Sequence, residues 1–494
     1  MTYFSTNNAK KMTIRMKKIR YALQMKSMRF ALISVLLAFA TQTMAQEGVT
    51  WKEMHKVKKK ETIFGIANEY GLTVEELIKA NPEMNTPGYS LKKGDFIFIP
   101  FSAAELQQRA GNVQQATQQG TQTISVGQLA NATAKQNDVD IRNRAIRVGV
   151  MLPLHDVDGD GRRMVEYYRG MLLACDSLKK NGISVDIHAW NVNIDADIRQ
   201  TLLDPAAAKC DIIFGPLYTK QMKPLSEFVR TYGIKLVIPF SISGNDVQEN
   251  PNIYQVYQTP NDINDATINQ FLERFPAHHP VFIDCNDSTS QKGIFTMGLR
   301  RIMDARGISY NVTNLNSSDE AFSKAFSRTE PNIVILNTGR SPELNSTLRR
   351  LDRLTSQVGG LSISMFGYTD WLMYTKVYLE YFHKYDTYIP ATFYHDPNSA
   401  KSISIENQYR RWFKTDMMYA LPRFGLTGFD QAYFFLSGLH ERGKAFNATK
   451  AESRHLPIQT QFNFKRAAKG GGMQNRQLTF VHYAPNHSIV LNNY

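Results

Sequence analysis

The chain has 494 residues, with 58 Lys and Arg against 44 Asp and Glu, a formal charge of +14. That length exceeds the size at which one hydrophobic core keeps growing, so several domains are expected. Much of the basic excess lies in the first 29 residues, which gives little support to nucleic-acid binding, and the three cysteines have neither metal-like nor C-x-x-C spacing.

Residues 1 to 29 carry eight Lys or Arg and no acid, residues 30 to 40 read FALISVLLAFA, and Thr43-Met44-Ala45 puts small residues at the cleavage positions. This is the three-part layout of a secretory signal, so residues 1 to 45 are expected to be removed before Gln46. The length of the basic stretch makes Met25 and Met28 alternative starts. An apolar run of eleven residues is too short to span a bilayer as a helix, and no later segment reaches about 18 apolar residues. An exported, soluble chain is therefore expected. No cysteine stands near the cut, which argues against a lipid anchor. Removing the eight basic residues lowers the formal charge to +6. Lys58-Lys59-Lys60 reads as a solvated edge that could face acidic stem peptides of a cell wall.

From 51 to 100, Val57 and Ile97 to Ile99 sit in short alternating runs, while Ile66, Ala67, Tyr70, Leu77 and Ile78 recur at helical spacing. Two strands bracketing two helices follow. The series His55, Val57, Glu61-Thr62-Ile63, Ile66-Ala67, Tyr70-Gly71, Thr73, Leu77, Asn81-Pro82, Leu91, Gly94 and Ile99-Pro100 resembles the LysM family over its whole length. The resemblance implies a small βααβ module whose shallow groove holds N-acetylglucosamine units of peptidoglycan or chitin. It also implies that the groove edges are Glu61, Thr62, Ile63 and Phe64 on one side, and Asn81, Pro82, Gly88 and Tyr89 on the other. Lys60 stands where the family usually carries Gly, which puts the tightness of the first turn in doubt.

Residues 101 to 145 turn to Gln, Ala, Asn and Thr, with nine glutamines and neither apolar period. Such a composition buries too little apolar surface to offset its ordering entropy, and a flexible linker spanning about 40 Å is expected.

From Arg147 the pattern becomes strand, helix, strand: RVGVML, a helix over 164–180, ISVDIHAW, DIIFGP, a helix over 220–232 and KLVIPF. A second series follows Pro276, with PVFIDC, a helix over 292–305, NIVILN, a helix over 342–354 and SISMFGY. Nearly continuous apolar strands between helices indicate α/β architecture with parallel sheets covered on both faces. Some 300 residues of this pattern suggest two sheets and two lobes.

The phrases VGVMLPL at 148, YRGM at 168, DIIFGP at 211 and IKLVIPF at 234 resemble the type 1 periplasmic-binding-protein fold, in the branch of the leucine-type amino acid receptors. The likeness covers about 146 to 446. It places 146–270 and 426–446 in a first lobe and 276–425 in a second, and the LysM combination looks like an architecture of Bacteroidetes-like Gram-negative bacteria. In open parallel sheets, ligands lie beyond the carboxyl ends of the strands. By resemblance to the receptors, Thr219, Ser241 and Ser243 would grip a ligand carboxylate, Asp370 would take an ammonium, and Tyr218 or Trp371 would supply a flat wall. The plainer reading is that the hydroxyls and Asp370 cap helices and Trp371 fills the core.

Asp156, Asp158, Asp160 and Gly161 are similar to the start of a calcium loop, but position twelve is Tyr167 and no helix precedes it, so a solvated acidic turn is expected and no metal is assigned. His278-His279 reads as a loop pair. No G-x-S-x-G, P-loop, G-x-G-x-x-G or H-E-x-x-H occurs, so neither catalysis nor a cofactor is expected. Cys175, Cys210 and Cys285 lie in or beside apolar runs and read as buried free thiols. After Asn447, IQTQFNF at 458 and LTFVHY at 478 alternate with period two, with a Gly-rich turn between them, and a C-terminal hairpin packed on the first lobe is expected.

Taken together, the sequence points to a non-catalytic, peptidoglycan-binding periplasmic protein whose two lobes act as a scaffold or regulator with an envelope protein partner. The alternative is a wall-tethered receptor for an amino acid or muropeptide. A peptidoglycan hydrolase is disfavoured for want of catalytic motifs.

Overall fold

In the computed structural model, the described residues are 51–59, 61–81, 84, 91, 93, 96–100, 102, 140–240, 243–449, 452 and 456–494. They fall into two compact units, one on each side of residue 121. The expected signal segment, and the expected linker up to residue 139 apart from Ser102, lie outside the described residues.

In the small unit, β1 (Trp51–Lys56) pairs antiparallel with β2 (Phe96–Pro100), and α1 (Ile63–Glu69) and α2 (Val74–Ala80) lie between them in sequence. Thr62 caps α1 by accepting from Gly65 N. Thr73 and Glu76 form a reciprocal capping box on α2, satisfying two amides that the helix cannot pair internally. Val57, Ile66, Ala67, Leu77, Ile97 and Ile99 make the core. The βααβ order is the one expected.

The large unit opens with β3 (Ile146–Leu152), α3 (Gly159–Lys180), β4 (Val185–Asn191), β5 (Ile212–Phe214), α4 (Met222–Tyr232), β6 (Lys235–Ile238) and β7 (Ile253–Gln255). Next come α5 (Pro260–Arg274), β8 (His279–Asp284), α6 (Gly293–Ala305), β9 (Asn311–Asn314), β10 (Asn332–Leu336), α7 (Ser341–Gln357), β11 (Ile363–Phe366), α8 (Thr375–Lys384) and β12 (Thr387–Ala391). The chain finishes with α9 (Ala400–Phe413), α10 (Phe424–Arg442), β13 (Phe464–Arg466), β14 (Met473–Asn475), β15 (Thr479–Tyr483) and β16 (Ile489–Asn493).

These strands form two seven-stranded sheets, ordered β13, β14, β7, β6, β5, β3, β4 and β16, β15, β12, β11, β10, β8, β9. Within each, the five strands of the alternating pattern pair in parallel. Each sheet has its own apolar core, one including Val148, Phe214 and Phe435, the other Val281, Ile335 and Phe366. The α/β class and the two parallel-dominated sheets agree with the sequence reading.

The limits of the lobes differ from that reading. Ile268 and Phe271 of α5 pack in the second core, although residues to 270 were grouped with the first lobe. Ile405 and Tyr409 of α9 pack in the first core, although residues 276–425 were grouped with the second. An amphipathic pattern shows that a helix has a face to bury, not which sheet receives it. The body also begins before residue 146, since Ile141 is buried in the first core and Arg144 pairs with Asp211 at 2.7 Å.

The tail is built of strands, but the two alternating runs do not pair with each other. β13 and β14 make one hairpin, with β14 added parallel to β7. β15 and β16 make another, with β15 added antiparallel to β12 of the second sheet. Period two fixes which side chains share a face and leaves the partner strand open.

The first lobe is centred on α3 against α10. A Cβ on Gly170 would lie 1.9 Å from the Gly425 carbonyl oxygen, and one on Gly428 would lie 1.9 Å from that of Tyr167. Only glycine lets these backbones meet. Glu166 of α3, buried, accepts from Met418 N at 2.6 Å and Gly425 N at 3.2 Å, fixing the loop into α10. Asp430 of α10 is fully buried and accepts from Ile458 N, Gln459 N and Thr460 N, pinning the start of the tail.

Candidate functional site

The first candidate site is the loop and first turn of α1 in the small unit. His55 is 5% exposed, with Nδ1 at 2.9 Å from the Tyr70 hydroxyl and Nε2 at 2.8 Å from Glu61 Oε2. The same Glu61 oxygen accepts from Lys58 N at 2.6 Å. The His55 side-chain hydrogen bond, then the Lys58 amide, hold the Glu61 carboxyl below its ordinary value. Glu61 thus shapes the turn that precedes α1. Thr62 is occupied as the helix cap and Ile63 is half-buried against the small core. Phe64 is 73% exposed, an aromatic ring held in water beside a braced loop. On the other edge, Asn81 is wholly buried and its amide donates to Leu77 O at 2.9 Å, so its side chain closes α2 and faces away from solvent. Pro82, Gly88 and Tyr89 lie outside the described residues.

Residues 55–100, which hold this loop, match the LysM domain family. They are a LysM domain. The match rests on the segment that carries the His55, Glu61 and Tyr70 linkage, so the braced edge belongs to the LysM domain itself.

The second candidate site is the set of loops at the carboxyl ends of the body's parallel strands. In the first lobe, Tyr218 is half-buried, its hydroxyl 3.3 Å from Asp160 Oδ2, and burial together with the Asp160 charge pushes it up to about 12. Thr219 and Ser243 are exposed, and Ser241 lies outside the described residues. Asp158 caps α3 through Gly161 N and Asp160 pairs with Arg163 at 3.0 Å, so the acidic turn serves the helix start.

In the second lobe the charges close on one another. Asp370 lies 2.6 Å from Lys292 Nζ, which also sits 5.1 Å over the Tyr368 ring. Asp287 accepts from the Thr289 and Thr338 hydroxyls and lies 3.5 Å from Arg340, and the two hydroxyl bonds hold its carboxyl down to about 2. Trp371 is 0% exposed and stacked 5.9 Å from Phe382, which corrects its assignment as a cleft wall: its ring is enclosed by the second core. Lys292, Asp287 and Arg340 were missed as individuals. The pairings are made across 78 and 53 residues, and sequence carries no local signal for them.

The three cysteines are free in the structure, Cys210 and Cys285 buried and Cys175 half-buried, and burial pushes each thiol up to about 12. His279 Nε2 bonds to Asn311 at 2.9 Å. Among the described residues no helix is long and apolar enough to cross a membrane.

No curated protein matches the chain. Several solved structures are similar to it at low identity. One is a branched-chain amino acid ABC transporter protein from Rhodospirillum rubrum, 13% identical, covering 71% of this chain and 100% of that one, with a TM-score of 0.48. Another is full-length LpoA from Haemophilus influenzae, 14% identical, covering 71% of this chain and 59% of that one, with a TM-score of 0.44. The C-domain of the same LpoA, described as a regulator of PBP1A, is 13% identical over 70% of this chain and 99% of that one, with a TM-score of 0.44.

Proposed function

We propose that this chain is a non-catalytic, peptidoglycan-binding protein of the periplasm. Its LysM domain holds N-acetylglucosamine-containing glycan, and its two-lobed body serves as a scaffold or regulator for an envelope protein partner. The observation that carries the proposal is the LysM match at 55–100. Its groove edge supports the same reading: the Glu61 loop is fixed by His55 before any sugar arrives, so little ordering entropy is lost on binding. Phe64 supplies an exposed apolar face for the acetyl methyl group. Backbone amides and carbonyls of 61 to 64, rather than the occupied side chains of Glu61 and Thr62, pair with the sugar amide and hydroxyls.

The amino-acid receptor reading is the weaker alternative. It requires Asp370 to meet a ligand ammonium, and Lys292 already neutralises that carboxylate at 2.6 Å. Of the two rings that could form its flat wall, Trp371 is enclosed by the core and Tyr218 is half-buried at the strand end.

Hydrogen exchange on the full chain, with and without N-acetylglucosamine oligomers, tests the proposal. Protection confined to peptides within the LysM domain, residues 55 to 100, supports it. Unchanged exchange there contradicts it, and protection of the loops around 218, 243 and 370 by an amino acid would restore the receptor reading.

A further inference from the structure

The fold of the LysM domain brings three metal-binding side chains together: the ring of His55 on β1, the Glu61 carboxylate in the turn after it, and the carboxylate of Glu69, the last residue of α1. One donor atom from each lies within 4.8 Å of the other two. Among the described residues this is the one place where three such side chains converge. Elsewhere a histidine meets a single acid, as His188 meets Asp186 at 3.7 Å, His482 meets Asp386 at 2.6 Å and His487 meets Glu380 at 3.9 Å.

Donors bound tetrahedrally at about 2.0–2.2 Å stand roughly 3.3–3.6 Å apart. His55 Nε2 and Glu61 Oε2, 2.8 Å apart, are already near that spacing. Glu69 is exposed at a helix end, so its side chain closes the remaining gap by rotation. The first two donors are also braced from behind. The Tyr70 hydroxyl lies 2.9 Å from His55 Nδ1, and Lys58 N donates to Glu61 Oε2 at 2.6 Å. With Nε2 on an ion, the ring proton sits on Nδ1 and the Tyr70 oxygen accepts it, the outer contact that a ligating imidazole almost always makes. His55 is 5% exposed, so its ring is held in this orientation. Lys58 Nζ, the cation facing Glu61 at 3.7 Å, is 71% exposed, and Glu69 makes no ion pair among the described residues. One imidazole nitrogen and two carboxylates form a donor set suited to zinc, with one position of a tetrahedral ion left for water.

We propose that His55, Glu61 and Glu69 bind a zinc ion, with water as the fourth ligand. The ion cross-links β1, the turn after it and the end of α1, a helix of 7 residues that is too short to be stable by itself. It engages side chains and leaves the backbone of 61 to 64 untouched, so the site stands whether or not that edge holds sugar.

The test is calorimetric titration of the full chain with zinc chloride, and with calcium chloride as the oxygen-seeking counterpart. Saturable binding of zinc at one site is expected with a Kd of about 10 µM or below, and calcium should bind at least about tenfold more weakly. Glu69→Gln, an exposed change, should weaken zinc at least about tenfold, while His487→Gln leaves it unchanged. Hydrogen exchange locates the ion: zinc should slow amides within residues 55 to 70 of the unaltered chain and not of Glu69→Gln. Absence of saturable zinc binding, calcium binding of equal strength, zinc affinity untouched by Glu69→Gln, or slowing confined to other parts of the chain would overturn the proposal. If Glu69→Gln does not fold, the exchange map of the unaltered chain decides.

Discussion

The two lobes of the body share one strand order and are completed differently. Strands β7, β6, β5, β3, β4 and β12, β11, β10, β8, β9 lie in the same sequence across their sheets. The tail then adds a strand parallel to β7 in the first lobe and antiparallel to β12 in the second. The first lobe is held by backbone-to-backbone helix contact and by buried carboxylates receiving main-chain amides. Aromatic packing runs through both, Phe435 against Phe214 and Tyr254 in the first and Phe366 against Phe271, Phe295 and Phe480 in the second, whose charged loops are paired at the surface. The difference teaches that one strand order can serve as a frame for a rigid anchor in one lobe and a set of charge-balanced loops in the other.

The largest effect should come from the tail anchor. Asp430→Ala leaves three buried amides without an acceptor, at a cost of about 3–5 kcal/mol, because each buried unsatisfied group loses about 1–3 kcal/mol. A lower urea midpoint, with early exchange of the amides of β13 to β16, is the expected result; an unchanged midpoint would show that the tail is held elsewhere. Next is His395, in the segment between β12 and α9, through pH. The His395 imidazole titrates near 4 in the folded chain and near 6.5 when unfolded. Between those values the unfolded chain binds more protons, so stability falls as pH drops from about 6.5 to about 4, by up to about 3 kcal/mol. His395→Gln should flatten that part of the pH profile of the urea midpoint; a profile of the same slope would remove the assignment.

Gly170→Ala should cost about 2–3 kcal/mol by forcing α3 from α10, since the added methyl meets backbone that cannot rotate away. Thermal melts would show it, and a neutral substitution would mean that the helices separate freely. The smallest effect belongs to the second lobe's surface: Asp370→Asn should change stability by less than about 1 kcal/mol, as exposed pairs do. A larger loss on denaturant titration would make the Lys292 pair a structural element of that lobe.

What the sequence made legible follows the same division. Apolar strands of the parallel sheets announce themselves because both faces are covered, and β3, β5, β8, β10 and β11 fall where the runs RVGVML, DIIFGP, PVFIDC, NIVILN and SISMFGY lie. The LysM series was readable because its residues are close together. Long-range choices were not. Helices α5 and α9 each carry an apolar face that fits either sheet, and the strands of the tail declare an alternation without a partner. Asp370 looked free because Lys292 is far away in sequence.

The central claim is that the LysM domain fastens the chain to peptidoglycan. Co-sedimentation with purified sacculi, comparing the full chain with one lacking residues 46 to 100, tests it most directly. The account predicts that the full chain pellets with sacculi and is released by soluble N-acetylglucosamine oligomers, while the shortened chain stays in the supernatant. Equal retention of both chains would contradict it.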